Sequence, residues 1–367
     1  MVLQGCGAQD LCVGAFAGLM YPGPPPLSSR HHLKVIIMKL ALSDAHALVC
    51  NTLLRCNVDP DNAGSVATAL VTAEAAGQGG HGLRRVPAYA AQARAGKVDG
   101  HAKPVADQPF PAVLRIDAQF GFAYPALDLM IERLPDIARS QGIAVAAIHK
   151  SHHAGVMGLT VEKLAEAGLA AMMFANAPAA MAPWGGRRPM FGTNPIAFAT
   201  PIGDGDPIVI DLALSKVARG KIMAAKQKGV PIPDDWALDV DGNPTTDAVR
   251  ALEGTMVPAG GVKGAALAMM VEMLAAGLTG AQFGHQSSSL FDDKGAPPAL
   301  GQMVIAIDPV AVGGAGIIDH LRYIADEIAL EETVRLPGRR GQNARRDAEI
   351  QGLDIEDDVI AAIEAIK

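Results

Sequence analysis

From Ala112 onward, apolar runs of strand length alternate with amphipathic runs of helix length, and that rhythm limits the folds open to the chain. AVLRID (112–117), IAVAAI (143–148) and LAAMMFAN (169–176) read as short buried strands. PALDLMIERLPDIARSQG (125–142) and GLTVEKLAEAG (158–168) read as the helices between them. Such alternation predicts an α/β fold. Further on, PIAFATP and DPIVIDLA flank IGDG as a hairpin, so a mixed central sheet is expected rather than a parallel one.

Helical pattern fills both ends of the chain. SDAHALVCNTLLRC (43–56), with Ser43 as its expected N-cap, NAGSVATALVTAEAAG (62–77) and RRVPAYAAQARAG (84–96) lie before the sheet. SKVARGKIMAAKQKG (215–229) and KGAALAMMVEMLAAG (263–277) precede the strand GQMVIAID (301–308). IIDHLRYIADEIA (317–329) and EDDVIAAIEAIK (356–367) follow it. The expected organisation is a central sheet domain over 112–309 and a discontinuous helical domain from 38–111 plus 310–367. Residues 1–37 are expected to be a disordered or mis-started tail, with Met38 opening the functional domain.

The 367 residues, half of them hydrophobic, suffice for one or two domains. A net charge of −7 with interspersed signs offers no basic stripe, so nucleic acid is not an expected partner. All four cysteines fall within the first 56 residues without C-x-x-C spacing, which argues for a reducing compartment, the cytoplasm. LCVGAFAGLMY (11–21) lacks a preceding Lys or Arg, follows Asp10 and runs into YPGPPPLSS, which argues against a signal peptide. No apolar run reaches the roughly 18 to 20 residues of a membrane helix, so no span is expected.

Five stretches carry candidate chemistry. HKSHHAGVMG (149–158) falls at a strand-to-helix turn, where unpaired amides and strand carboxyl ends gather anions. His152, His153 and Gly155 are placed there to meet a ligand; capping or core packing is the plainer alternative. A zinc site on His149, His152 and His153 is disfavoured, because neighbours on a strand face opposite ways and no Cys or carboxylate within the stretch completes the set. GQGGHGLRRVPAY (77–89) contains G-x-G-x-x-G, but a helix precedes it, so it fails as a dinucleotide fingerprint. What remains is His81 in a glycine loop next to Arg84 and Arg85: a proton-moving imidazole beside a carboxylate-gripping guanidinium, or a turn residue beside solvated arginines.

PWGGRRPMFGTNP (183–195) joins two strands through a long loop bearing Trp184, Arg187, Arg188, Thr193 and Asn194, and long ordered loops tend to be functional. PAGGVKG (258–264) sets Lys263 at a helix start, a phosphate site or a plain connector. DVDGNP spaces Asp239, Asp241 and Asn243 like a calcium loop, yet Pro244 and Arg250 stand where the glycine and glutamate belong, so it is a turn.

Taken together and in order, HGLRRVPAY, SHHAGVMG, GGRRPMFGTNP, VIDLALSKVARGK, GGVKG and VRLPGRRG resemble the malate/L-lactate dehydrogenase-like oxidoreductases, which are unrelated to the Rossmann lactate dehydrogenases. That family includes ureidoglycolate, sulfolactate and malate dehydrogenases and the piperideine/pyrroline-2-carboxylate reductases. The resemblance runs from Met38 to Arg346. It implies a homodimer that binds NAD or NADP in a non-Rossmann central sheet domain, with a helical substrate and dimerisation domain.

The resemblance further implies His81 and His153 as catalytic residues, with Arg85 on the carboxylate of a small-molecule substrate and Thr193 facing it. His153, Ala154, Gly155, Val156 and Met157 would run along the nicotinamide half of the cofactor. Asp211, Leu212, Ala213 and Lys263, with Leu336, Pro337, Gly338, Arg339, Arg340 and Gly341, would hold the remainder. No metal is implied. Two departures bear on the substrate: members usually have Ser where this chain has Gly80, and the imine reductases carry Asp where it has Lys221. Both favour a 2-hydroxy-acid dehydrogenase over a cyclic-imine reductase, while Gly80 keeps an inactive dinucleotide-binding homologue as a further alternative. Arg84, Arg187 and Arg188 suggest a second anionic group on the substrate, as in sulfolactate or malate.

Overall fold

The computed structural model describes residues 37–367. The tail expected over 1–37 therefore lies outside the described residues, except Ile37. In chain order, the first elements are β1 (Ile37–Leu40), α1 (Leu42–Leu54), α2 (Pro60–Ala75) and, after two short 3-10 turns (Gly79–His81 and Leu83–Arg85), α3 (Val86–Arg94). Then come β2 (Val105–Phe110), β3 (Val113–Asp117), α4 (Ala123–Gln141), β4 (Ile143–Ser151), α5 (Met157–Glu166) and β5 (Ala170–Ala175). They are followed by β6 (Ile196–Thr200), β7 (Ile208–Leu212), α6 (Arg219–Lys228), β8 (Ala237–Leu238), α7 (Ala248–Glu253), β9 (Thr255–Met256) and α8 (Val262–Glu272). A π turn (Met273–Gly277) leads on to β10 (Leu300–Ile307), α9 (Pro309–Gly313), α10 (Ile317–Ala329), α11 (Arg339–Gln351), β11 (Leu353–Glu356) and α12 (Asp357–Glu364).

The central sheet has seven strands in the order β2-β3-β4-β10-β5-β6-β7. Only β3 and β4 pair in parallel, through the α4 crossover, and every other neighbour is antiparallel. The expected mixed sheet and the β6–β7 hairpin are both present. β10 inserts between β4 and β5, so the second βαβ unit of the sequence has a strand from far along the chain between its two strands.

Side chains of the middle strands alternate between two cores. Ala144, Ala146, Ile148, Met173 and Val304 join the cluster under α1, α2, α4 and α5, whereas Val145, Met172, Phe174 and Met303 meet the cluster under α6, α7 and α8. A sheet covered on both faces explains why IAVAAI and LAAMMFAN are apolar at nearly every position instead of every second one. The chain ends meet: β1 pairs antiparallel with β11 from Ile37↔Glu356 to Leu40↔Leu353.

Two local expectations need correction. Ser43 does not cap α1; the N-cap lies two residues earlier, at Ala41, which directly follows β1 and has no side chain that can cap. The strand-to-helix turn at HKSHHAG also begins later. His149, Lys150 and Ser151 still belong to β4, and only residues 152–156 form the turn.

Candidate active site

The 152–156 turn is aimed by a β-bulge. Ser151 pairs with Leu300 and Ile148 with Gln302, so His149 and Lys150 together oppose the single residue Gly301. Lys150 takes φ +47°, a left-handed conformation costly for a non-glycine residue. Its ammonium meets Asp117 at 2.6 Å. A bulge re-aims the residues that follow it. His149 is left near Asp117, Nε2 to Oδ2 3.9 Å, while His152 and His153 turn toward α3. Of the three histidines weighed as zinc ligands, His149 thus faces Asp117 and the other two face α3.

The facing residues come from one side of α3 and the turns before it, where positions three or four apart are neighbours. Arg85, Tyr89 and Gln92 follow that spacing, and His81 is brought beside them by the break at Gly82 between the two 3-10 turns. His81 Nδ1 lies 3.1 Å from His153 Nε2, with the two rings stacked at 5.0 Å between centroids. Tyr89 Oη lies 2.7 Å from His153 Nδ1 and 3.3 Å from Tyr124 Oη. His81–His153–Tyr89–Tyr124 is therefore a continuous hydrogen-bonded chain. His152 does not join it: its Nε2 meets Gln92 Oε1 at 2.8 Å, and its buried Nδ1 has no partner among the described residues.

Burial sets the protonation of this cluster. It pushes His81 down to about 4, with the Arg85 cation as the second cause. The same two causes hold His153 well below its ordinary value, and burial takes His152 to about 3. All three are neutral at pH 7. Arg85 donates Nε–H to the Gly80 carbonyl at 3.1 Å, and no hydrogen bond among the described residues occupies its two terminal amino groups. Those two form the fork that a carboxylate accepts.

Glycines serve close approach in two places. At Gly155, φ is +67° and a Cβ would stand 2.6 Å from Tyr124 Oη. The loop around His81 wraps Glu74, whose Oε2 accepts from the Leu83 amide at 2.8 Å. A Cβ at Gly79 would come within 2.9 Å of Glu74 Oε1, and one at Gly82 would collide with Oε2. This is the physical reason for the failed fingerprint: the glycines make room for a carboxylate of the chain. Glu74, Tyr89 and Tyr124 are site residues that sequence reasoning did not assign. Tyr89 was detectable only as the next helical neighbour after Arg85.

The segments expected to hold a dinucleotide form a strip beside the histidines. Gly158 N–H, in the first turn of α5, donates to Asp211 Oδ2 at 2.7 Å, and Asp211, Leu212 and Ala213 lie exposed at the end of β7. Val209 N–H donates to Pro337 O at 3.4 Å, and a Cβ on Gly338 would come within 2.9 Å of Val209 Cβ, so Leu336–Gly341 runs against the same strand. Ala259 N–H donates to Leu214 O at 2.8 Å, bringing the turn with Lys263 to the exit of β7. Thr193 reaches that exit too, its carbonyl accepting from Leu214 N–H, and no hydrogen bond among the described residues joins it to the histidines. A cavity of about 60 Å³ is lined by Tyr124, Ala154 and Val156 between α2, α4 and α5.

Several expected cations are committed elsewhere. Arg84, a candidate for a second anionic group, is instead paired with Glu356 at 2.6 Å, because the β1–β11 ribbon brings that carboxylate to it. Arg339 bonds Asp206 at 2.5 Å. Arg187 and Arg188 lie exposed, Arg187 over the Gly242 turn, and Lys221 is exposed on α6. Among the described residues no group of three or more His, Cys, Asp or Glu is arranged to hold a metal ion. No described helix is long and apolar enough to cross a membrane.

Residues 40–364 match the family model described as malate/L-lactate dehydrogenase. The chain is 49% identical over 308 residues to a protein of Chromohalobacter salexigens named (2R)-3-sulfolactate dehydrogenase (NADP(+)), covering 84% of this chain and 92% of that one. It is 39% identical over 333 residues to a Delta(1)-pyrroline-2-carboxylate reductase of Ancylobacter novellus, covering 90% and 97%. The structure of delta1-piperideine-2-carboxylate reductase from Pseudomonas syringae superposes with a TM-score of 0.84 at 35% identity, covering 90% of this chain and all of that one. The chain belongs to the malate/L-lactate dehydrogenase family of non-Rossmann oxidoreductases.

Proposed function

We propose that the protein is an NAD(P)-dependent dehydrogenase that interconverts a small 2-hydroxy acid and its 2-oxo acid, with sulfolactate the first substrate to try and NADP the first cofactor. One observation carries the mechanism. Both ring nitrogens of His153 are occupied, by His81 and Tyr89, whereas His81 Nε2 has no protein partner among the described residues. His81 is therefore the histidine that meets substrate, and His153 relays behind it.

The strip beside the histidines suits a dinucleotide. A glycine-cleared turn opens α5, the Asp211 carboxylate can accept from ribose hydroxyls, Leu212 is exposed and apolar, and Lys263 and Arg340 are exposed cations. His153 to Met157, Asp211 to Ala213, Lys263 and Leu336 to Gly341 would hold the cofactor, and Thr193 stands beside them. A nicotinamide held there would supply the hydride chemistry at C2 in both directions.

The chain's own residues manage the carboxylate and the proton. The two free amino groups of Arg85 clamp the carboxylate and fix C2 near His81. In oxidation His81 Nε2 takes the hydroxyl proton and its Nδ1 proton moves to His153 Nε2, where Tyr89 Oη accepts a hydrogen bond from the Nδ1–H of the imidazolium that forms. In reduction the shifts reverse. Two histidines this close share a single added proton, since two like charges at 3.1 Å would repel.

A second copy of the chain would cover the apolar face of α8, where Val262, Leu267, Met269, Met270 and Met273 lie exposed. Cys50 and Cys56 form no disulfide among the described residues, which supports residence in a reducing compartment, the cytoplasm. The test is absorbance at 340 nm with NADH and NADPH against oxaloacetate, pyruvate, sulfopyruvate and piperideine-2-carboxylate. Turnover of an oxo acid but not the imine supports the proposal. Turnover of the imine alone transfers the chain to the reductase branch, and cofactor binding without turnover of any of them marks an inactive homologue.

A further inference from the structure

Lys97 is one of the largest fully buried side chains, with 1% of it exposed, yet it stands outside the histidine network. A buried ammonium persists only where acceptors replace its water. Here Nζ donates to Ser289 O at 2.6 Å and Asp292 O at 3.0 Å, and lies 3.4 Å from Asp292 Oδ1. All three acceptors belong to one turn, brought from far along the chain. Gln92 reinforces the tether by donating Nε2–H to Asp292 O at 3.0 Å, while its Oε1 meets His152.

Between those anchors the turn carries Phe291, whose ring centre lies 4.7 Å from Arg85 Cζ. Phe291 is 40% exposed, so its own burial does not fix the ring. A cation over an aromatic face is attracted by the ring quadrupole, which holds the guanidinium against the ring. With Nε tied to Gly80 O and Cζ held over the Phe291 ring, Arg85 is restrained on two sides and its terminal amino groups remain free.

We propose that Lys97 is a positioning residue for the carboxylate clamp: it bolts down the 289–292 turn so that Phe291 seats and aims Arg85. The inference rests on the proposed role of Arg85 in gripping substrate. Lys97→Met leaves the Ser289 carbonyl without its donor and Asp292 O held by Gln92 alone, which loosens the turn. Phe291→Leu removes the ring and keeps an apolar side chain, and Phe291→Tyr retains the ring.

The expected result for Lys97→Met and Phe291→Leu is a rise of about five- to tenfold in KM for the 2-oxo acid. KM for the nicotinamide cofactor should hold, kcat should change far less, and Phe291→Tyr should behave like the unmodified protein. The double variant should be no worse than either single one, because both changes break the same path. An unchanged KM in Lys97→Met, or multiplying effects in the double variant, overturns the proposal. The Nε–H resonance of Arg85, assigned through Arg85→Lys, gives a readout independent of turnover. Phe291 should shift it upfield, and the shift should vanish in both variants. If no acid is turned over, the proposed function falls, while an unmoved resonance in Lys97→Met overturns the bolt by itself.

Discussion

Oxidation of a 2-hydroxy acid should stay nearly constant well below the pH at which an ordinary histidine fails. The hydroxyl proton needs a neutral imidazole, so the acid limb of kcat/KM reports the pKa of the free His81–His153 pair. Burial first and Arg85 second push His81 from 6.5 down to about 4, and the same causes hold His153 well below 6.5. A lowered pKa preserves the base form in acid, so activity persists as pH falls through 6.5 and declines only toward about 4. At pH 5.5 an imidazole of pKa 6.5 is about one-tenth neutral and one of about 4 nearly all neutral, a difference of about tenfold in rate. The assay is initial nicotinamide reduction at subsaturating hydroxy acid from pH 5 to 9, with circular dichroism confirming the fold at each pH. A limb centred near 6.5 would refute the reasoning, since it would mean the pair is as hydrated as free imidazole. Arg85→Met should raise the midpoint only in part, because burial is the larger cause.

Four further outcomes follow from the same geometry. Tyr89→Phe removes the 2.7 Å partner of His153 Nδ1 and should lower kcat about 10- to 100-fold with cofactor KM unchanged; an unchanged kcat in steady-state assays would remove Tyr89 from the relay. Gly80→Ser should fold normally, because no heavy atom lies within 4 Å of the new Cβ, and should gain measurable piperideine-2-carboxylate reduction; no gain would show that Gly80 does not decide the branch. Gly155→Ala should lose about 2 kcal/mol or more, from φ +67° and the clash with Tyr124 Oη, read by denaturant titration, with Tyr124→Phe restoring part of it. Met270→Asp with Met273→Asp should convert a dimer to a monomer in sedimentation velocity, and a retained dimer would exclude the α8 face.

Legibility followed the range of the interaction. The strands and helices between Ala112 and Asn176 were readable because two-sided burial and helical amphipathicity leave local periodic traces. The insertion of β10 between β4 and β5 left none, since that contact joins residues more than a hundred positions apart. The bulge that aims His152 and His153 was hidden because Lys150, not glycine, takes the left-handed conformation. α11 was missed because RRGQNARRDAEIQ buries only Gln342 and Ala348, too little for an apolar stripe. His81, His153 and Arg85 were singled out through motif order, whereas Tyr89, Glu74 and Lys97 touch partners that only folding brings near. Arg84 shows the converse: its spacing beside Arg85 suggests a shared role, and the β1–β11 ribbon takes it away.

The charges around the site imply that binding and proton loading are one event. Arg85 depresses the histidines, and the nearby Glu74 carboxylate is turned to the Leu83 amide, its own pKa pushed up by burial. Neither the loop nor α3 thus offers Arg85 a countercharge in hydrogen-bonding contact among the described residues. In the proposed function a substrate carboxylate would supply it, and in doing so would cancel the second cause of the low histidine pKa values. The pair then becomes easier to protonate only once an acid is seated, which readies His81 as proton donor when a 2-oxo acid is bound and leaves it a neutral base before a hydroxy acid arrives. By linkage, a ligand that raises a group's pKa binds more tightly at lower pH. KM for the oxo acid should therefore climb as pH rises through the liganded pKa of the pair, and Arg85→Met, which removes the shared cation, should flatten that climb as well as weaken binding.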